Sequence, residues 1–163
     1  MQPLVITLNG KKVRFTWAVP ANNGDDITDI TVLIFDPTAL SNEYTEDTTI
    51  CDAGAAYTGS INYCEAEMAD VISTFNYVAG QTIKAKVYAT NSIDDGLLSL
   101  DPSDTIFAQT APTVHPSNVA LTSTSTTVSV TFDDITTASE RGYSPITQYH
   151  IYIHDGSDFV DSH

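Results

Sequence analysis

Basic residues are scarce in this sequence. Its 163 residues include 6 Lys or Arg against 21 Asp or Glu, a formal net charge of −15 at pH 7. A surface this acidic repels the phosphate backbone of nucleic acids and the anionic leaflets of membranes. We therefore predict no nucleic-acid partner and no direct insertion into a membrane. The same charge suits divalent cations, basic partners or simple solubility in a saline medium.

Long apolar runs and catalytic motifs are also missing. No stretch approaches the roughly 18 apolar residues of a membrane-spanning helix. The first ten residues read as a strand, so we expect any signal peptide to be removed or to lie outside this sequence. There is no Gly-x-Ser-x-Gly elbow, no glycine-rich phosphate loop and no His-Glu-x-x-His helix. The chain is therefore predicted not to be an enzyme, and no cofactor is expected apart from a candidate calcium ion.

Cysteine occurs only twice. Cys51 and Cys64 enclose 12 residues, among them Gly54 and Gly59, which is typical of a loop closed by a disulfide. A metal site would require further Cys or His nearby, and the segment has none. We predict a Cys51–Cys64 disulfide that stabilises the fold by about 3 kcal/mol. Such a bond indicates an oxidising compartment, so the protein is expected outside the cell.

Alternation of apolar and polar residues dominates what is present. This period of two predicts half-buried strands rather than helices. The prediction also includes a short strand over 61–68, one helical turn over 69–75, a strand over 104–110 and another over 118–122. The apolar positions of the clearest strands are Val13, Phe15 and Trp17; Ile30, Val32 and Ile34; Ile83, Ala85, Val87 and Ala89; Val128, Val130 and Phe132; and Ile146, Tyr149, Ile151 and Ile153.

A proline-bounded segment divides the chain. Ala111 to Pro116 reads Ala-Pro-Thr-Val-His-Pro, and its prolines favour extended backbone without hydrogen-bond donors. The strand pattern restarts after it and stops early, since ten residues follow Ile153. We predict a complete domain over 1–111, a linker over 112–116 and an incomplete module over 117–163. Either the chain is an excerpt of a longer protein, or a neighbouring copy completes the second module by strand addition.

Both halves resemble the second and third strands of fibronectin type III domains. Residues 13–34 begin Val-Arg-Phe-Thr-Trp and continue through Asn-Gly-Asp-Asp-Ile-Thr. Residues 128–153 begin Val-Ser-Val-Thr-Phe and continue through Gly-Tyr-Ser-Pro-Ile-Thr-Gln-Tyr. Residues 87–96 resemble the family's sixth-strand signature. Trp17 matches the family's core tryptophan and Tyr149 its third-strand tyrosine.

The resemblance implies an all-β fold. The implied fold is an immunoglobulin-like (fibronectin type III) β-sandwich, with one complete module and a partial second module. The cysteine loop, the helical turn and Gly80 further resemble modules in large repetitive surface proteins of ciliates and other protists. One departure is Ile83, which stands where many members carry a tyrosine, so the family's corner hydrogen bond is not expected there.

Tandem modules without a recognisable site predict a structural role. We expect an extracellular structural or adhesive repeat of a larger cell-surface or filament-forming protein, whose partners are neighbouring modules or copies. One alternative is a calcium- or carbohydrate-binding recognition module, for which Tyr44, Tyr57 and Tyr63 near carboxylates are the candidate aromatics. Another is an accessory domain of a secreted enzyme.

Calcium is the best-motivated ion. It requires six to eight oxygen ligands, which Asp and Asn in turns supply. The predicted ligands are Asp94, Asp95, Asp133 and Asp134, on the two sides of the linker. Asp and Asn also suit turns for backbone reasons alone, so the same pattern fits a site without a metal. Other carboxylate clusters are Asp25 with Asp26, Asp101 with Asp104, and Asp155 with Asp158.

A threonine-rich stretch begins at the end of the predicted strand over 118–122. Thr122, Thr124, Thr126 and Thr127 are candidate acceptors of O-linked sugars, although threonine also suits exposed strand positions. His150 and His154 share a strand face and, with an aspartate, offer a second metal site. We favour the interpretation of exposed strand histidines.

Overall fold

The computed structural model describes residues 4–39, 43–56, 62–102, 105–154 and 159–161. Within these residues the chain forms ten strands and two short helices. They belong to two compact units, residues 1–110 and 111–163.

The first unit is an immunoglobulin-like β-sandwich, which confirms the predicted fold class. One antiparallel sheet has the strand order β1-β2-β5 and the other the order β4-β3-β6. Inward-facing side chains of both sheets belong to a single buried cluster. The elements are β1 (Val5–Asn9), β2 (Lys12–Thr16), β3 (Ile27–Phe35), β4 (Tyr44–Thr45), α1 (Ala53–Ala56), β5 (Tyr63–Glu67), α2 (Met68–Thr74) and β6 (Ala85–Asn91).

The alternating pattern decides which side chains enter this core. Val32 pairs with Val87 across β3 and β6, and Phe15 pairs with Cys64 across β2 and β5. A one-residue slip in either register would turn the apolar set toward solvent. Trp17, just after β2, is 1% exposed, as expected of a core tryptophan.

A short helix follows β5, as the sequence predicts. An isolated helix of seven residues is not stable in water, so α2 depends on tertiary contacts. Met68 and Val71 are buried, and the Met68 N–H donates to the Lys11 carbonyl at 2.9 Å. The other helix, α1, packs beside β3: a Cβ on Gly54 would stand 2.1 Å from Asp29 Oδ1.

The last strand of the first unit differs from the prediction. Of the predicted strand over 104–110, the residues near 106–108 pair with the segment just before β6, where the Ala108 N–H donates to the Gln81 carbonyl at 2.8 Å. Asp104 lies outside the described residues. An earlier stretch also runs beside β6, where the Gly96 N–H donates to the Ala89 carbonyl at 2.7 Å. The edge of this sheet is therefore formed by two short pieces.

The second unit contains two antiparallel hairpins in its described residues. The first pairs β7 (Ser117–Ser123) with β8 (Val128–Asp133), and the second pairs β9 (Tyr152–His154) with β10 (Phe159–Asp161). The linker prolines precede β7, and the Thr113 N–H donates to the Glu140 carbonyl at 2.9 Å.

The predicted third strand of this unit is wrong over most of its length. Ile146, Tyr149 and Ile151 do not lie in a strand, and only Ile153 does, within β9. Alternating side chains favour a strand, but a strand also requires a neighbouring backbone that accepts and donates its hydrogen bonds. Among the described residues β9 finds that neighbour in β10 alone.

Candidate functional site

An apolar face of the second unit lies open to solvent. Leu121 and Val130 are register partners on the β7–β8 hairpin, and Val128 lies on the same face. Val119, Leu121 and Val128 are 63%, 70% and 63% exposed. Contiguous apolar surface of this kind commonly marks an interaction site. We call this surface the open hairpin face; it comprises Val119, Leu121, Val128, Val130 and Phe132.

A groove of about 440 Å³ borders this face. Phe132 and Tyr149 meet there edge to face, with ring centroids 5.0 Å apart. The Tyr149 hydroxyl accepts a hydrogen bond from the Ile135 N–H at 3.1 Å, which fixes the ring. The predicted third-strand tyrosine therefore lines a groove although no strand carries it. Other apolar lining comes from Pro112, Val114, Pro116, Ile146 and Ile151.

The outer face of the second sheet in the first unit carries an aromatic and charged cluster. The Tyr44 hydroxyl donates to Asp101 Oδ1, and Lys86 Nζ lies 3.5 Å from the same oxygen. Lys86 Nζ also stands 4.4 Å from the centroid of the Tyr44 ring, and Phe35 packs against that ring at 5.3 Å. Burial, followed by the bond to Asp101, raises the pKa of Tyr44. The cluster is satisfied internally, which favours a structural role.

The outer face of the first sheet carries a second such cluster. Arg14 Nε donates to Glu65 Oε1 at 2.5 Å, and the guanidinium lies 4.4 Å from the centroid of the Tyr63 ring. Asn9 donates to the same carboxylate oxygen at 2.8 Å. The bonds from Asn9 and then Arg14 hold the pKa of Glu65 below its usual value. Arg14 covers part of the ring that the carbohydrate hypothesis requires to be free.

A buried tyrosine that the sequence does not reveal lies close to the position of Ile83. Tyr77 is 4% exposed, and its hydroxyl accepts a hydrogen bond from the Lys84 N–H at 3.2 Å. Burial raises the pKa of Tyr77 to about 12. Tyr77 thus links the segment after α2 to Lys84, the residue just before β6. It does so from a position six residues before Ile83.

The predicted disulfide is confirmed. Cys51 and Cys64 are bonded, with their Cα atoms 5.5 Å apart. They are 2% and 9% exposed, so the bond lies at the border of the core. It ties the segment before α1 to β5, which is an edge strand of its sheet.

The four predicted calcium ligands divide between the units. Asp94 and Asp95 lie in the turn after β6, where Asp95 Oδ1 accepts from the Thr90 hydroxyl at 2.7 Å. Asp133 ends β8 and accepts from Asn118 at 2.5 Å; Asp134 follows it. In the part of the chain that the structure describes, no group of three or more His, Cys, Asp or Glu is arranged to hold a metal ion. Calcium binding stays a prediction.

The threonine stretch lies in and after β7. Thr122 and Thr126 are exposed, and Thr124 accepts from the Thr127 N–H at 3.0 Å, which closes the hairpin turn. Glycosylation of these four residues is untested and stays a prediction. His150 and His154 are exposed, and His154 alone of the two lies in a strand. Tyr57, Asp155 and Asp158 lie outside the described residues.

The chain has a distant likeness to known fibronectin-domain structures. No protein-family model and no curated protein matches the chain. Among solved structures, the chain is similar to the crystal structure of the FN1-FN3 domains of chicken CNTN1, at 17% identity and a TM-score of 0.39. The match covers 99% of this chain and 52% of that one, so the chain spans about half its length. The fold assignment rests on strand order and register instead.

Both helices of the described residues are short. Among the described residues, none is long and apolar enough to cross a membrane.

Proposed function

We propose that this chain is an extracellular structural or adhesive module of the fibronectin type III kind, belonging to a larger cell-surface or filament-forming protein. We further propose that a strand from a neighbouring module or another copy completes its second unit. The sandwich fold and the disulfide support an extracellular setting, because disulfides persist in oxidising compartments. In this function the protein acts as a spacer and connector.

The open hairpin face is the observation that carries this proposal. Burial of a Val, Leu or Phe side chain contributes roughly 1.5–3 kcal/mol, so covering this face favours association by several kcal/mol. The β7–β8 pair is a two-stranded sheet in the described residues, and such a pair is marginally stable in water by itself. A strand added at the free edge would extend this sheet, and the layer packed behind that strand would cover the apolar face.

The charge of the chain shapes how copies would associate. Two copies at −15 each repel one another at low ionic strength. At physiological ionic strength, salt largely screens the repulsion between exposed charges that lie more than about 8 Å apart. Association through an apolar face between like-charged copies therefore strengthens as salt is added. Association through opposite charges would weaken under the same change.

Sedimentation velocity of the full chain, over a range of protein and salt concentrations, tests self-association. We expect a monomer at low concentration and oligomers that grow with concentration and with NaCl. A variant with two carboxylates on the open hairpin face, Leu121→Asp/Val128→Asp, is expected to stay monomeric.

A matched control places the same charges on the other face of the hairpin. Thr122 and Ser129 are register partners there, so Thr122→Asp/Ser129→Asp adds equal charge without touching the apolar face. The control is expected to associate like the unmodified chain. If the unmodified chain is monomeric at every concentration, completion by copies is wrong. If both variants dissociate equally, the effect is one of net charge and the open hairpin face is not the interface.

A further inference from the structure

Arg141 occupies an unusual position for this chain. It is the single Lys or Arg after residue 86 in the sequence. A compact turn holds its backbone: the Arg141 N–H donates to the Thr137 carbonyl at 3.1 Å, and the Tyr143 N–H donates to the Ala138 carbonyl at 2.8 Å. The Glu140 carbonyl accepts from Thr113 as well. The side chain therefore projects from a fixed backbone.

The guanidinium of Arg141 has no acceptor among the described residues. Its Nε is buried and makes no hydrogen bond with any described residue. The ion pairs found among the described residues involve Lys12, Arg14 and Lys86. The contrast with Arg14 is direct, because Arg14 Nε donates to Glu65 at 2.5 Å. A buried N–H donor without an acceptor is costly, and an acceptor brought to the half-buried guanidinium offsets part of that cost.

A pocket opens beside this side chain. It has a volume of about 410 Å³, and its lining includes Thr136, Arg141, Thr147 and Gln148, whose hydroxyl, guanidinium and amide groups offer hydrogen bonds. Asp134 also lines it. Asp134 is exposed, so solvent screens its charge, but it still disfavours ligands with several negative charges. One carboxylate suits the pocket better than a phosphate or sulfate.

We propose that Arg141 and this pocket form a binding site for a single carboxylate group. A guanidinium presents paired N–H donors that match the two oxygens of a carboxylate. The group has two sources with the same chemistry: a soluble organic acid, or an Asp or Glu side chain of another copy. The pocket shares Tyr149 with the groove beside the open hairpin face, but none of its lining residues belongs to that face, so either proposal can fail without the other.

NMR of the arginine side chains tests this directly. The chain has two arginines, Arg14 and Arg141, so the Nε–Hε spectrum of the full chain labelled with ¹⁵N-arginine has two signals. An Arg14→Lys variant assigns them. Arg14 is already bonded to Glu65 and serves as the internal control. We expect sodium acetate to shift the Arg141 signal and to leave the Arg14 signal in place.

The two sources and the controls give separate outcomes. A shift of Arg141 with acetate, beyond that produced by NaCl at equal ionic strength, supports a site for soluble acids. A shift with protein concentration that is retained in Leu121→Asp/Val128→Asp supports a carboxylate from another copy. In Arg141→Lys, the backbone amide signals of Thr136 and Thr147 are expected to need about tenfold more acetate for the same shift. If Arg141 responds to neither acid nor protein concentration, or responds equally to chloride, the proposal is wrong.

Discussion

Loss of the Cys51–Cys64 bond is expected to destabilise the first unit by about 3 kcal/mol. The two cysteines are 13 residues apart in sequence, and closing a loop of that length in the unfolded chain accounts for roughly this free energy. Because Cys64 lies in β5, an edge strand, the freed segment also loses its anchor to the sheet. The variant Cys51→Ala/Cys64→Ala removes the bond without leaving a reactive thiol.

Trp17 provides an assay specific to this unit. It is the single tryptophan of the chain and is 1% exposed, so its fluorescence reports unfolding of the first sandwich. With a urea m-value of about 1.5 kcal/mol/M, a loss of 3 kcal/mol moves the midpoint down by about 2 M. Thermal unfolding is expected about 15 °C lower.

Two comparisons separate the cross-link from the packing of the sulfur atoms. Reduction of the unmodified chain keeps both sulfurs and should reproduce most of the loss. The single variants Cys51→Ala and Cys64→Ala should each match the double variant, because either one breaks the bond. A midpoint shift below about 0.5 M, or single losses that add up to the double loss, would refute the reasoning.

Three further outcomes test other parts of the first unit. Because folding raises the pKa of Tyr77 to about 12, the folded state favours the protonated hydroxyl. The free energy of unfolding should therefore be constant below about pH 10 and fall between about pH 10 and 12. In Tyr77→Phe it should fall less steeply over that range. An unchanged alkaline limb in that variant would contradict the assignment. In Gly96→Ala the new Cβ would lie 2.9 Å from the Ala89 carbonyl oxygen. We expect the free energy of unfolding to fall by about 1–2 kcal/mol, and the backbone amide of residue 96 to exchange its hydrogen faster. Normal exchange there would show that the edge does not run beside β6. Ile34→Ala, at a site 1% exposed, should cost about 2–5 kcal/mol in urea unfolding, whereas Ile93→Ala, at 81% exposed, should cost less than about 0.5 kcal/mol; equal costs would contradict the observed burial.

The two units differ in how far their own residues bury the apolar faces that the sequence creates. In the first unit, Phe15 and Val32 from facing sheets enter one buried cluster. In the second unit, the equivalent face around Leu121 stays exposed. This difference is the reason that the proposed role places assembly in the second unit and stability in the first.

The sequence by itself determined the faces of the first-unit strands. Val13 and Val87 are buried as their alternation predicts, because the side-chain period of a strand is a local property of the backbone. The pairing of Cys51 with Cys64 could also be predicted from the sequence, since a chain with two cysteines allows one intramolecular disulfide.

Only the tertiary structure decided features that depend on which backbone lies alongside. Ile146 and Ile151 have strand-like alternation but lie outside any strand, because a ladder requires a partner that local pattern does not reveal. The hydroxyl of Tyr77 and the unpaired guanidinium of Arg141 belong to the same class. Their surroundings arise from residues brought together by the fold, so composition and spacing carry no signal for them.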